Sequence, residues 1–247
     1  MTRPVLFLHG GTVGGWSWAG QLPAFDDRLA LAPDLPGYLS RWDEPWDDFD
    51  AVAARLAALI DAEAGEPVDV VGLSLGGITA LHLAAHHPQQ LASVFVTGAS
   101  VLPYRPSMRL MNRVALTVWY RRFYWAGMAR QFGLEGEEAK RFVVNSPPIS
   151  RAKLIEQLRE VYPGGLTRLE DIAAPLMAIA GEREMRYFHD SLDVIRAVRP
   201  DATIGLARGM HHAWNAEDPA LFNRILRSWL DERTAHPELL PLPPRGS

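Results

Sequence analysis

Residues 72–76 read Gly-Leu-Ser-Leu-Gly, after the apolar run Val68–Val71 and before the helix-like stretch Gly77–Ala85. This is the sequence form of a nucleophile elbow, a serine on a sharp strand-to-helix turn. A side chain there sits on strained backbone, so its neighbours two positions away must be nearly free of side chain. Ser74 Oγ would project from the end of a sheet beside a helix N-terminus, whose free N–H groups favour developing negative charge. A serine hydroxyl attacks well only when a base takes its proton. His212, in Gly209-Met210-His211-His212-Ala213-Trp214 before the last helix, is the candidate base, and its neighbour His211 is the rival. A carboxylate must then fix the imidazole tautomer and stabilise the imidazolium. Glu184, in Gly181-Glu182-Arg183-Glu184, is the candidate, with Glu182 and Asp190 behind it. The tetrahedral oxyanion of acyl transfer needs two fixed N–H donors. Leu75, next to the serine, and Gly11, in the glycine-rich turn His9-Gly10-Gly11-Thr12, are the expected pair. His9 reads as a residue that orders this turn by hydrogen bonding. His82 and His86, four apart on one helix, have metal-ligand spacing but lack the acid of an H-E-x-x-H motif.

These residues need a scaffold, and the hydrophobic pattern supplies one. Strands are expected at Val5–Leu8, Leu29–Ala32, Val68–Gly72, Ala92–Thr97, Leu176–Ala180 and Ala202–Leu206. They are continuous apolar runs, as in strands covered on both faces. Helices are expected at Phe49–Ala64, Leu75–His86, Tyr187–Val198 and Pro219–Glu232, the last capped by Asp218 with Pro219 in its first turn. Strand–helix alternation predicts an α/β fold with a doubly wound, mostly parallel sheet. The rhythm breaks between residues 103 and 170, where helical, aromatic-rich patterns replace strands. That stretch reads as an inserted helical cap, with residues 1–102 and 171–235 forming the core. Trp119, Tyr120, Phe123, Tyr124 and Trp125 would pack the cap, two or three of them facing a ligand cavity. Exposed cap aromatics would favour a homodimer. The proline-rich stretch 236–247 is expected to be a loosely held tail.

Composition narrows the chemistry. The 247 residues contain no cysteine, which excludes disulfides, thiolate catalysis and cysteine-based zinc sites. A net charge of −4 with both signs interspersed gives no nucleic-acid footprint and no polybasic membrane patch. The start runs straight into a strand, so no signal peptide is expected, nor any membrane span, and a cytoplasmic location follows as the expectation. No cofactor or metal is called for. The expected partner is a small acyl substrate.

With these residues in order, the chain resembles the α/β-hydrolases from its start to about residue 233. The resemblance rests on the His-Gly-Gly turn, Pro33-Asp34-Leu35-Pro36-Gly37 after the second strand, and the Gly-Leu-Ser-Leu-Gly elbow. The cap position, the G-x-x-[DE] turn, and the late histidine followed by Pro219 add to it. It implies the α/β-hydrolase fold, the order serine, acid, histidine, and an oxyanion donor from the first loop, in support of Gly11. The chain departs from the family where Glu184 replaces the usual aspartate and His211 the usual glycine before the histidine, and it lacks the leading hairpin many members have. His9-Gly10 with Gly14-Gly15-Trp16-Ser17-Trp18 also resembles the opening of small plant-type esterases and hydroxynitrile lyases. Gly10 and Ala213 stand where the lyases carry threonine and lysine, which argues against cyanohydrin chemistry. Ser74 stands where haloalkane dehalogenases and epoxide hydrolases carry aspartate. The expected activity is carboxylic ester hydrolysis by a Ser-His-acid triad through an acyl-enzyme. C–C bond or amide cleavage by the same triad, acyl transfer, and a non-catalytic ligand-binding protein on the same fold are the alternatives.

Overall fold

The structure, a computed structural model, describes residues 2–164 and 168–243. Among the described residues seven strands form one sheet: β1 Val5–Leu8, β2 Ala30–Leu31, β3 Val68–Leu73, β4 Leu91–Thr97, β5 Leu176–Gly181, β6 Thr203–Ala207 and β7 Leu239–Leu240. Their order is β2-β1-β3-β4-β5-β6-β7, parallel except for β7. The helices are α1 Phe49–Glu63, α2 Leu75–His86, α3 Pro106–Ala115, α4 Arg122–Gln131, α5 Gly136–Val144, α6 Arg151–Val161, α7 Arg186–Val198, α8 Trp214–Glu217 and α9 Pro219–Glu232.

The apolar runs are continuous because each face of the sheet has its own core. Leu6, Leu8, Val70, Val94, Val96 and Ala178 point to the side covered by α1, α2 and α7. Their chain neighbours Val5, Phe7, Val71, Phe95, Met177 and Ile179 point the other way, against α9 and the buried rings of Trp18, Phe25 and Phe222. Side chains alternate between the faces of a strand, so a strand buried on both sides needs apolar residues at every position. Asp69 is the exception in β3. It is buried, accepts from Ser93 Oγ at 2.6 Å and pairs with Arg233 Nη2 at 2.6 Å. Burial pushes its carboxyl pKa up, against the pull of Ser93 and Arg233.

Helix ends follow their caps. Asp48 accepts from Ala51 N at the start of α1, and Asp218 from Leu221 N at the start of α9. The second strand is shorter than its apolar run implies, losing Leu29 and Ala32, although Leu29 O still accepts from Val5 N at 2.8 Å. The C-terminal stretch differs more. Leu239–Leu240 pairs antiparallel with β6 as the sheet edge, and Leu242 is buried. The loosely held tail expected from proline content is thus ordered at these positions, because between prolines two leucines suffice for an edge strand. Residues 244–247 of the expected tail lie outside the described residues, as does Gly165 of the cap stretch.

Helices α3 to α6 all fall between β4 and β5. Trp119 and Trp125 are buried among them, with Trp125 Nε1 donating to Trp119 O and Trp119 Nε1 to Ile149 O. Tyr38, in the loop after β2, bridges to Ile149 and ties this insertion to the sheet. Among the described residues no helix is long and apolar enough to cross a membrane.

Candidate active site

The turn from β3 into α2 explains its glycines sterically. A Cβ on Gly72 would lie 2.6 Å from the carbonyl carbon of Gly76, and one on Gly76 would collide with the backbone of Leu8. Ser74 between them has φ 54° and ψ −113°, conformations that cost a non-glycine residue about 1–3 kcal/mol. Its side chain does not cap α2, and Oγ has no hydrogen bond among the described residues. Ser74 and Leu75 line a cavity of about 310 Å³, together with Gly10, Gly11, Glu184 and His212. A Cβ on Gly11 would lie 3.7 Å from Leu75 Cβ, so the two expected oxyanion donors are neighbours beside the serine.

The loop after β6 carries the histidines, and Trp214 anchors it. Its buried indole Nε1 donates to Thr97 Oγ1 at the end of β4, 2.7 Å away. Asn215 adds a bond to Ser17 O, and Gln21 Nε2 bonds Asn215 O. His212 lies between the rings of Phe132 and Phe188. Its Nδ1 is hydrogen-bonded to Glu184 Oε1, and the Glu184 side chain is 1% exposed. The other carboxylate oxygen accepts from Gly181 N at 3.2 Å. A carboxylate on Nδ1 places the ring proton there and leaves Nε2 as the basic nitrogen. Among the described residues no hydrogen bond joins Ser74 Oγ to His212. Such contacts commonly close only when substrate is bound.

The alternative residues have other partners. His211 Nδ1 and its backbone N–H both bond Glu217, at 2.8 and 2.7 Å. Glu182 accepts from Gly209 N and so braces the histidine loop, while Asp190 pairs with Arg105 and Arg186. His9 is fully buried, accepts from Leu35 N at 2.8 Å through Nε2, and contacts Gly10 O through Nδ1. Burial lowers its pKa to about 4, so it is neutral and holds two loops together. His82 and His86 do meet an acid: Asp50 of α1 lies 2.8 Å from His82 Nδ1 and 3.4 Å from His86 Nε2. The three ligand atoms fall within 4.8 Å of one another, a spacing that could hold a cation. Asp50 takes one nitrogen of each ring, while His82 Nε2 is buried without a partner among the described residues.

Three further residues have no signal in the sequence. Gly98, with φ 57°, follows β4, and a Cβ there would lie 2.8 Å from His212 Cε1 and 2.9 Å from Glu184 Oε1. Tyr38 Oη donates to Gln157 Oε1 at 2.7 Å and lies 3.2 Å from Gly11 O, linking α6 to the oxyanion loop. Gln157 Nε2, buried on the cavity wall, has no partner among the described residues. Of the expected cap aromatics, Trp119 and Tyr124 line the cavity, Trp125 is buried, and Tyr120 and Phe123 face solvent.

Residues 5–225 match the model of the alpha/beta hydrolase family. An AB hydrolase superfamily protein of Gibberella zeae is 28% identical over 92% of this chain and 79% of its own length. The lipase LipV of Mycobacterium tuberculosis is 41% identical over a shorter stretch, 39% of this chain and 37% of the lipase. Among solved structures, a bromoperoxidase from Bacillus anthracis superposes with TM-score 0.80 at 17% identity, covering 94% of this chain and 93% of its own, a likeness of fold alone.

Proposed function

The chain belongs to the alpha/beta hydrolase family, and from that premise we propose that it is a serine hydrolase cleaving carboxylic esters. In this reading His212 Nε2 takes the proton of Ser74 Oγ as the oxygen attacks the ester carbonyl. Glu184 holds the ring tautomer and stabilises the imidazolium without taking its proton. The N–H groups of Gly11 and Leu75 donate hydrogen bonds to the oxyanion, each worth about 100- to 1000-fold in rate. Collapse of the tetrahedral intermediate expels the alcohol, protonated by His212, and leaves an acyl-serine. Water activated by the same imidazole then releases the acid and restores the hydroxyl.

The observation that carries this reading is the His212–Glu184 pair, with a nearly fully buried carboxylate, on the wall of the cavity that also holds the strained Ser74. A histidine–acid pair kept for stability alone has no need of such a neighbour. The mainly apolar cavity suits a small or medium acyl group. The lipase likeness supports ester substrates over amides or C–C bonds. The test is labelling by a fluorophosphonate probe together with turnover of an ester series graded by acyl length. Labelling that Ser74→Ala abolishes, with ester turnover above amide and diketone turnover, is the expected result. Absence of labelling in the native chain would favour a non-catalytic binding protein.

A further inference from the structure

Charge averaged over the chain is mixed, but one stretch is not. Residues 103–134 contain six arginines, at 105, 109, 113, 121, 122 and 130, and no aspartate or glutamate, in a chain of net charge −4. Only Arg105 among them has a carboxylate partner within the described residues, Asp190 of α7. Arg109 is held by the carbonyls of Tyr104 and Tyr162 and lies over the Tyr162 ring, with no carboxylate partner among the described residues.

The same stretch exposes apolar side chains. Leu110, Met111, Val114, Tyr120 and Phe123 are each more than half exposed. At about 100° per residue, α3 divides into three arcs. Asn112 and Ala115 form one, facing the cavity, with Leu116 continuing it past the helix end. Leu110, Met111 and Val114 form a second, exposed and apolar except for Ser107, and Arg109 and Arg113 form a third. No residue of α3 is buried, so the helix gains little from the protein beneath it.

From these arcs we infer that α3 and the following turn into α4 form a docking face for an anionic lipid surface. An apolar arc flanked by arginines is the pattern of a helix lying in the plane of a bilayer interface. Tyr120 and Phe123 have the character of interfacial anchors, and the arginines match anionic headgroups. A second copy of this chain is a poorer occupant, because a two-fold contact would set arginine against arginine. The face backs onto the cavity wall, so docking would bring the acyl site next to a store of acyl chains. The inference concerns binding and holds whether or not Ser74 is a nucleophile.

Co-sedimentation with phosphatidylcholine vesicles, with and without phosphatidylglycerol, tests it on the full chain and on Ser74→Ala. Both should bind phosphatidylglycerol vesicles at about 0.1 M salt and weaken toward 1 M. The triple variant L110S/M111S/V114S and the pair R113E/R121E should each weaken binding about tenfold or more, with turnover of a water-soluble short-chain ester and thermal midpoint unchanged. Binding lost in R113E/R121E but intact in the apolar triple would mark a face that reads charge alone, as for an acidic protein, and would overturn the lipid assignment. So would failure to bind either vesicle, or a dimer in solution that the apolar triple dissociates.

Discussion

Two adjacent histidines, His211 and His212, each hold a glutamate, and they reach it by opposite routes. The partner of His211 is Glu217, six residues along the same chain, which takes both the ring Nδ1 and the backbone N–H. The partner of His212 is Glu184, brought from the end of β5 on another strand. The first pair closes its own loop, whereas the second joins two strand ends. Each pair is covered by a glycine of positive φ. Gly98, at the end of β4, lies over His212 and Glu184; Gly133, from the inserted helices, lies over His211 and Glu217. Histidine–acid pairing is therefore no mark of function on this loop. What separates the two is where the acid comes from and how deeply it is buried.

That contrast can be broken most sharply at the rings. His212→Ala should lower kcat by about 100,000-fold or more, while His211→Ala should stay within about tenfold. Steady-state ester hydrolysis measures both, and the reverse ranking would hand the base role to His211. The acids come next. Glu184→Gln should cost about 10,000-fold in kcat by releasing the tautomer. Glu217→Gln should leave kcat within a few-fold and lower thermal stability by about 1–2 kcal/mol through the weakened loop. The glycines give a smaller and finer test. Gly98→Ala should lower kcat about 10- to 100-fold by displacing both side chains, whereas Gly133→Ala should act on stability, at about 1–3 kcal/mol, more than on rate.

The gentlest test concerns the pH range in which these comparisons hold. His9 has an ordinary value of 6.5 and a folded-state value of about 4 because it is buried. Above pH 6.5 it is neutral in both folded and unfolded chains. Between 6.5 and 4 only the unfolded chain takes up the proton, so stability falls as pH falls. The full effect is on the order of 3 kcal/mol. Thermal midpoints measured across this window should drop, and His9→Asn, less stable at pH 7.5, should show a shallower slope below pH 6.5.

The sequence made the scaffold legible where one physical demand governed each residue. Strands buried on both faces are apolar almost throughout, which exposed Val5–Leu8, Val68–Gly72 and Leu176–Ala180, two of them one residue short of the observed ends. Gly72 and Gly76 were legible because a tight turn excludes side chains and little else does. Choosing among Glu184, Glu182 and Asp190 was harder, since all three follow one strand within nine residues. Their partners come from other elements: His212 for the first, Gly209 N for the second and Arg105 for the third. The same holds for Asp50, whose approach to His82 and His86 depends on how α1 packs on α2. The inserted helices were least legible. Trp119 and Tyr120 are neighbours in sequence, yet one lines the cavity and the other faces solvent. A helix such as α3 that meets a cavity, a charged flank and an open apolar flank has no single periodic stripe to read.

Asp69 and Arg233 lie 164 residues apart in the chain, and their bond has a consequence in time. Synthesis runs from the N-terminus at about 5–20 residues per second, so the carboxylate in β3 emerges roughly 8–30 seconds before its guanidinium. Until then a completed β3 would hold a buried charge with its counter-ion missing, a defect worth about 3–5 kcal/mol. The strand thus waits on the residue that ends α9. A ribosome stalled anywhere before that residue carries a nascent chain whose β3 is still waiting for its cation.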